Sequence, residues 1–134
     1  MCGENNLDIL LQSMRPELDQ ESFVFLSSRE GFLSTEMEAA LMIFREPEDT
    51  TILVLEKIAK NMGRNYKDTW AKITLTVHSD LNAAGFLAAI LPKLADAGIS
   101  VNPVSAYFHD HLFLPWEKRD LAMKVLCSVQ TKYR

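Results

Sequence analysis

The sequence predicts an α+β fold in which antiparallel strands are covered by helices and the whole arrangement is used twice. Three observations predict it. Apolar, β-branched or aromatic runs at residues 22–28, 51–55 and 70–77 have strand character. Helical spacing of apolar residues recurs at 56–62, 83–97 and 117–131. Finally, the element order of the two halves is similar. Strands at 22–28, 40–46 and 51–55 lead to helix 56–62; strand 70–77, helix 83–97 and strands 101–108 and 111–115 lead to helix 117–131. Aligning Phe44-Arg45-Glu46 with Tyr107-Phe108-His109 sets TTILVLEK opposite DHLFLPWE, as a weak internal duplication would. The first half then lacks only the long helix after its first strand, a place the Leu7–Met14 helix is free to fill.

Asn6 or Asp8 can open a first helix with apolar face Leu7, Leu10, Leu11 and Met14, and Pro16 ends it. Phe23, Val24, Phe25 and Leu26 in succession read as a buried strand within Glu21–Ser28. Arg29–Glu38, with Gly31 among polar residues, reads as a loop. Ala39–Glu46 is read as a strand because Pro47-Glu48-Asp49 then turns into Thr51–Leu55. Glu56–Met62 is a short helix with Gly63 at its C′ position, and Arg64–Thr69 is a polar connector. In Trp70–Val77, Ile73, Leu75 and Val77 alternate with Lys72, Thr74 and Thr76, as in a strand with one covered face. Ser79 or Asp80 suits the N-cap of the next helix, whose stripe is Ala83, Leu87, Ile90, Leu91 and Leu94. Pro92 should kink that helix, and Gly98 ends it. Val101–Phe108 and His111–Pro115 form a hairpin about His109-Asp110. Trp116 and Glu117 begin a last helix with Ala122, Leu126 and Val129 on one face, flanked by Leu121 and Val125.

At 134 residues, 48% hydrophobic and 24% charged, the chain has the composition of a soluble globular domain. A net charge of −4 without a basic run argues against nucleic acid as a partner. Two cysteines, Cys2 and Cys127, suggest no disulfide framework, and Cys127 within a helical pattern is expected to be a buried small hydrophobe. The longest apolar run, Ala83–Leu91, is far short of a membrane span. No signal peptide is evident at the N-terminus, so a cytoplasmic location is expected. The acidic residues Glu36, Glu38, Glu46, Glu48 and Asp49 are expected in solvated loops and turns. Trp70 and Trp116 are expected to close the core.

The segment Ala84-Gly85-Phe86-Leu87-Ala88-Ala89-Ile90, the helix end Leu94-Ala95-Asp96-Ala97-Gly98-Ile99-Ser100-Val101, and the hairpin Tyr107-Phe108-His109-Asp110-His111 with Leu112–Pro115 together carry a resemblance. They resemble the ACT domain, a small ferredoxin-like βαββαβ module that senses amino acids in metabolic enzymes. The likeness covers residues 70–131 well and the first half faintly. It implies two tandem ACT-like repeats, a diverged one at 1–66 and a second at 67–134. Two departures stand out. Ala84 replaces the family's usual proline, and no clear strand follows the last helix, unless Ser128–Arg134 or a strand of the first half supplies it.

What the resemblance implies about function is a non-catalytic regulatory module binding a small molecule, with an amino acid as the ligand and no cofactor. The family's effector lies beside the strand–helix turn at the seam of two paired domains. Carried over, the turn is Ser79, Asp80, Leu81, Asn82, Ala84, Gly85 and Phe86, with Asn102, Pro103 and Val104 from a facing strand. Asp80 or Asn82 would hold the amino group. The physics supports a carboxylate there, because free N–H groups and the positive end of a helix dipole converge. Asp80 capping its helix and Gly85 permitting close packing are the plainer roles. A homodimer and a separate enzyme partner are expected. The alternative is a ligand-free structural or dimerisation module of the same fold. A third reading is a metal-dependent enzyme built on His109 and His111 with His78 or Glu117, since two histidines at i, i+2 of a strand share a side; a tight corner alone also collects polar residues. No nucleophile, base and acid set stands out.

Overall fold

The computed structural model describes residues 6–77 and 85–132, with side chains described to residue 130. The chain forms two compact units, one made of residues 1–19 with 71–134 and the other of 20–70.

The first unit begins with α1 (Leu7–Ser13), capped by Asn6, whose Oδ1 accepts the Ile9 N–H at 3.2 Å. Leu10, Leu11 and Met14 on its inner face are buried. The helix cannot run into Pro16; Arg15 turns into the left-handed region at φ 42, and β1 (Pro16–Leu18) follows. β1 pairs antiparallel with β5 (Trp70–Leu75), setting Pro16 opposite Leu75 and Leu18 opposite Ile73. Next to β5 lies β7 (Asp110–Pro115), and β6 (Asn102–Ser105) pairs antiparallel with β7 at the sheet's edge. So the strand that the second repeat lacks after its last helix is supplied by the start of the chain. Ser128–Arg134 does not supply it, because α5 (Arg119–Lys132) is helical through those of its residues that are described.

The order β1-β5-β7-β6 carries α1, α4 (Phe86–Asp96) and α5 on one face. Ile73, Leu75, Leu112 and Leu114 point into that layer, where they meet Met14, Ile90, Leu94 and Leu126. Burial of each large aliphatic side chain is worth about 1.5–3 kcal/mol. The period of α4 differs slightly from expectation: Phe86, Ile90 and Leu94 are its buried line, and Leu87 and Leu91 flank it. Pro92 lies within α4, where it withholds one hydrogen bond but does not end the helix. Gly98, at φ 77, closes α4. The Ile99 N–H reaches the Leu94 carbonyl at 3.0 Å and the Gly98 N–H that of Ala95 at 2.9 Å. In α5, Ala122, Leu126 and Val129 are buried as expected. Leu121 is 40% exposed, and Cys127 is exposed and not the buried hydrophobe expected, since it lies one residue past the inward Leu126. Trp116 opens a short 3₁₀ turn, Trp116–Lys118, and packs on the core with Arg119 4.0 Å above its ring.

In the second unit, β2 (Phe23–Ser28) pairs antiparallel with β4 (Thr50–Leu55), and β3 (Met42–Arg45) pairs with β4 on its other side. Val24, Leu26, Ile52 and Val54 pack against Ala59 of α3 (Glu56–Asn61). Trp70 meets Phe25 edge to face at 5.4 Å. Gly63, at φ 68, ends α3 with the same pair of C-terminal bonds, Arg64 N–H to Ala59 and Gly63 N–H to Lys60. One expectation fails here. Arg29–Glu38 is not a loop throughout, because α2 (Ser34–Ala39) forms within it. The missing helix of the first half is therefore α2, and α1 packs with α4 and α5 instead.

Candidate functional site

In the two sequence repeats β2 leads to α2 and β5 leads to α4, and the two helix starts differ in how they are satisfied. A helix leaves its first N–H groups without carbonyl partners and its positive dipole end facing outward.

At α2 the N-cap is Leu33, which has no acceptor side chain. Glu36, three residues on, bends back so that its Oε1 accepts the Leu33 N–H at 2.8 Å. Arg64 then holds the same carboxylate with Nε at 2.5 Å and Nη2 at 2.6 Å, while its guanidinium lies 5.0 Å over the Phe32 ring. The glycine stop at Gly63 delivers Arg64 there as the residue just beyond it. Glu36 is 1% exposed and not solvated as the sequence suggests. The Arg64 hydrogen bonds, with help from the Leu33 N–H, outweigh burial and hold its carboxyl below the usual value. This helix start is filled by the protein's own carboxylate.

At α4 the described residues supply no such carboxylate from the cap or the first turn. Its N-cap is Gly85 at φ 88, with no side chain to cap with, and no acidic residue occupies the first turn. Neither Ser79 nor Asp80 is the N-cap, because the helix begins at Phe86, several residues later than either would place it. The N–H groups of Phe86, Leu87 and Ala88 precede the first intrahelical bond, Ala89 N–H to Gly85 carbonyl at 2.9 Å. Only glycine adopts the Gly85 conformation without strain.

Of the expected ligand residues, Ser79, Asp80, Leu81, Asn82 and Ala84 lie outside the described residues, as does His78. The Phe86 side chain is 3% exposed and belongs to the core, so it offers a ligand only its backbone. Asn102, Pro103 and Val104 form most of the edge strand β6; Asn102 and Pro103 are exposed and Val104 is half-buried. Strand β7 stands between β6 and β5, so two strand spacings, roughly 10 Å, part β6 from β5 within the unit. Among the described residues, Asn102–Val104 and β5 are not neighbours.

The histidine corner also differs from expectation. The tip of the hairpin is Tyr107-Phe108, closed by the Ala106 N–H to the His109 carbonyl at 3.0 Å, and Asp110 already belongs to β7. Asp110 is 6% exposed and accepts the Ser105 hydroxyl at 2.5 Å, which ties the two strands. His109 and His111 do share a side, with ring centroids 6.4 Å apart. Yet Nδ1 of His111 lies 2.8 Å from the Thr74 hydroxyl. Among the described residues no group of three histidine, cysteine or acidic side chains is placed to hold a metal. Burial foremost, then the charges of Lys72 and His109, lowers the His111 pKa against the opposing pull of Asp110.

With this geometry in view, comparison with known proteins is informative. Two models of the ACT domain match the chain, one over residues 2–71 and one over 65–128. The chain belongs to the ACT domain family. It carries two such domains in tandem along the sequence. No curated protein matches it in sequence. Among solved structures, a Vibrio cholerae protein of unknown function, described as a possible transport protein, is 41% identical. The match covers 90% of this chain and 92% of that one, with a TM-score of 0.79. A protein from Agrobacterium tumefaciens is similar at 17% identity, covering 81% of both chains with a TM-score of 0.62. The ligand-free regulatory subunit of aspartate kinase from Thermus thermophilus also shares the fold, at 11% identity and a TM-score of 0.62, over 85% of this chain and 96% of its own. The ACT tandem has the general character of a regulatory ligand-binding module. No helix among the described residues is long and apolar enough to cross a membrane.

The sequence matches divide the chain near residues 65–71, whereas packing places residues 1–19 with 71–134. A sequence repeat and a compact unit are thus different divisions of this chain, and α1 and β1 are the elements that cross over. Sequence reasoning also missed the Glu36–Arg64 pair. The pattern Leu33-x-x-Glu36 before a helix and a glycine stop just ahead of Arg64 were the available signals.

Proposed function

We propose that this protein is a non-catalytic regulatory module that binds a free amino acid at the turn into α4. The observation that carries the reading is the contrast between the two helix starts. Glu36 occupies that of α2, and α4 starts at Gly85 with no side-chain cap from that residue and no acid in its first turn. A ligand α-carboxylate is the group that the α4 start lacks. Asp80 or Asn82 then takes the ammonium.

The separation of β6 from β5 favours a site completed by a second copy, whose Asn102–Val104 edge faces the turn of the first. We read the protein as a homodimer on this ground. Its signal passes to a separate enzyme, and the location that fits this role is the cytoplasm. The test is a melting screen against all twenty amino acids. A ligand at about 100 times its Kd stabilises by about 2.7 kcal/mol.

A second reading is a ligand-free pairing module. It is favoured by the exposed apolar side chains Leu41 (53%), just before the edge strand β3, and Phe44 (61%) on that strand. Dimerisation without any amino-acid shift in melting is the result that selects it.

A further inference from the structure

The α1–β1 segment grips both described ends of the connection from β5 to α4. Just past β5, the Arg15 carbonyl accepts the Thr76 hydroxyl at 2.9 Å and the Thr76 N–H at 3.4 Å. The Met14 carbonyl accepts the Val77 N–H, also at 3.4 Å. At the other end, α1 begins beside the start of α4: a Cβ placed on Gly85 would lie 3.7 Å from Leu7 Cδ2. Residues 78–84 join these two ends in sequence.

The segment is tied on either side of its middle. Past β1, the Asp19 N–H donates to the Lys72 carbonyl at 2.9 Å, and the Asp19 carboxylate meets the Lys72 ammonium at 3.5 Å. In α1, the Gln12 carbonyl accepts the Gln130 side-chain amide of α5 at 3.0 Å. The weak point lies between. Arg15, at φ 42, is the one non-glycine residue at positive φ among the described residues. Pro16 bars the helix from continuing, so the chain turns within a single residue. That turn aims the Met14 and Arg15 carbonyls at the end of β5. For a residue with a Cβ the conformation is disfavoured by a factor of roughly 5–30. Arg15 is exposed, so burial of its side chain does not offset the strain. Strain held at one such link suits a hinge.

We propose that α1–β1 is a strap that controls the turn into α4. With the Arg15 link closed, both ends of the connection are fixed; with the strap released, both are freed together. The inference rests on the reading of that turn as a ligand site and makes the held form the binding form. Native-state hydrogen exchange on the full chain tests it through two substitutions at Arg15. Asparagine tolerates the left-handed region and valine does not. Arg15→Asn should slow exchange of the Leu10, Thr76, Val77 and Ala89 amides together, by about threefold or more, and Arg15→Val should speed all four by as much. The Ile99 amide, at the far end of α4, should change less than about twofold. A response confined to Leu10, or none, overturns the inference, and so does a response that Ile99 shares in full. The twenty free amino acids are then added singly. Any that binds by calorimetry should, at about 100 times its Kd, slow the Leu10 amide about a hundredfold, because only the held form takes it. Binding that leaves Leu10 unchanged overturns the strap's control and leaves the turn site standing. No binding by any of the twenty overturns the turn site, and its control with it.

Discussion

Pro16 stands opposite Leu75, so the strand that completes the C-terminal unit enters from the first residues of the chain. Helix α1 comes with it and buries Leu10, Leu11 and Met14 in the same core as Ile73, Leu75 and Leu126. The pairing is short, three residues long, so its hold comes from the side chains that α1 delivers. Leu11→Ala should destabilise the C-terminal unit by about 2–5 kcal/mol. Amide exchange would locate the loss: protection at Ile73 and Leu75 should fall while Val24 and Val54 keep theirs.

Glu36 and Arg64 contribute acid sensitivity to the second unit. The Glu36 carboxyl titrates below its ordinary 4.5, so its contribution is complete above that value and is lost as pH falls through the lower folded one. Glu36→Gln should cost about 1.5–3 kcal/mol near neutral pH, the range for hydrogen bonds to charged groups. It should also flatten the stability profile as pH falls below about 4.5. Urea melts of both proteins across that window measure the difference in slope.

At Gly85 the backbone sits at φ 88, and an added Cβ would find only Leu7 Cδ2 at 3.7 Å, an ordinary contact. Gly85→Ala therefore carries conformational strain without a clash, about 1–2 kcal/mol. Its melting temperature should drop modestly. Its amino-acid affinity should drop further, because the backbone that presents the α4 start has to re-aim.

His111 should titrate below the ordinary 6.5 in an NMR pH series. As pH falls from that ordinary value toward the folded one, the unfolded chain takes up the proton first, so stability declines through this window. Lys72→Met removes one of the charges that oppose protonation, and the His111 pKa should rise. An unchanged value would leave burial and the His109 charge as the causes.

Much of this architecture was legible in the residues, and the failures have identifiable causes. Strands such as Thr50–Leu55 and Trp70–Leu75 were readable because alternation or an unbroken apolar run is a strong signal. The two glycine stops, Gly63 and Gly98, were readable because little else ends a helix so cleanly. Helix α2 was missed because STEMEA is short and polar, and a single turn of amphipathic pattern looks like loop. The burial of Glu36 was missed because its partner, Arg64, is 28 residues away. No local pattern joins the two. The crossing of β1 could not be read either, since a three-residue strand starting at Pro16 carries no periodicity. Of the expected site, Gly85 is the N-cap of α4, and residues 79–84 lie outside the described residues. The distance from β5 to Asn102–Val104 depends on strand order, which composition does not encode.

The most direct test of the account is isothermal calorimetry of the full chain with each amino acid that shifts its melting. The account predicts saturable binding by at least one, lost or greatly weakened in Asp80→Ala and in Gly85→Ala, with the fold of both variants intact by circular dichroism. Binding of unchanged strength in both folded variants would contradict it, as would no binding by any of the twenty.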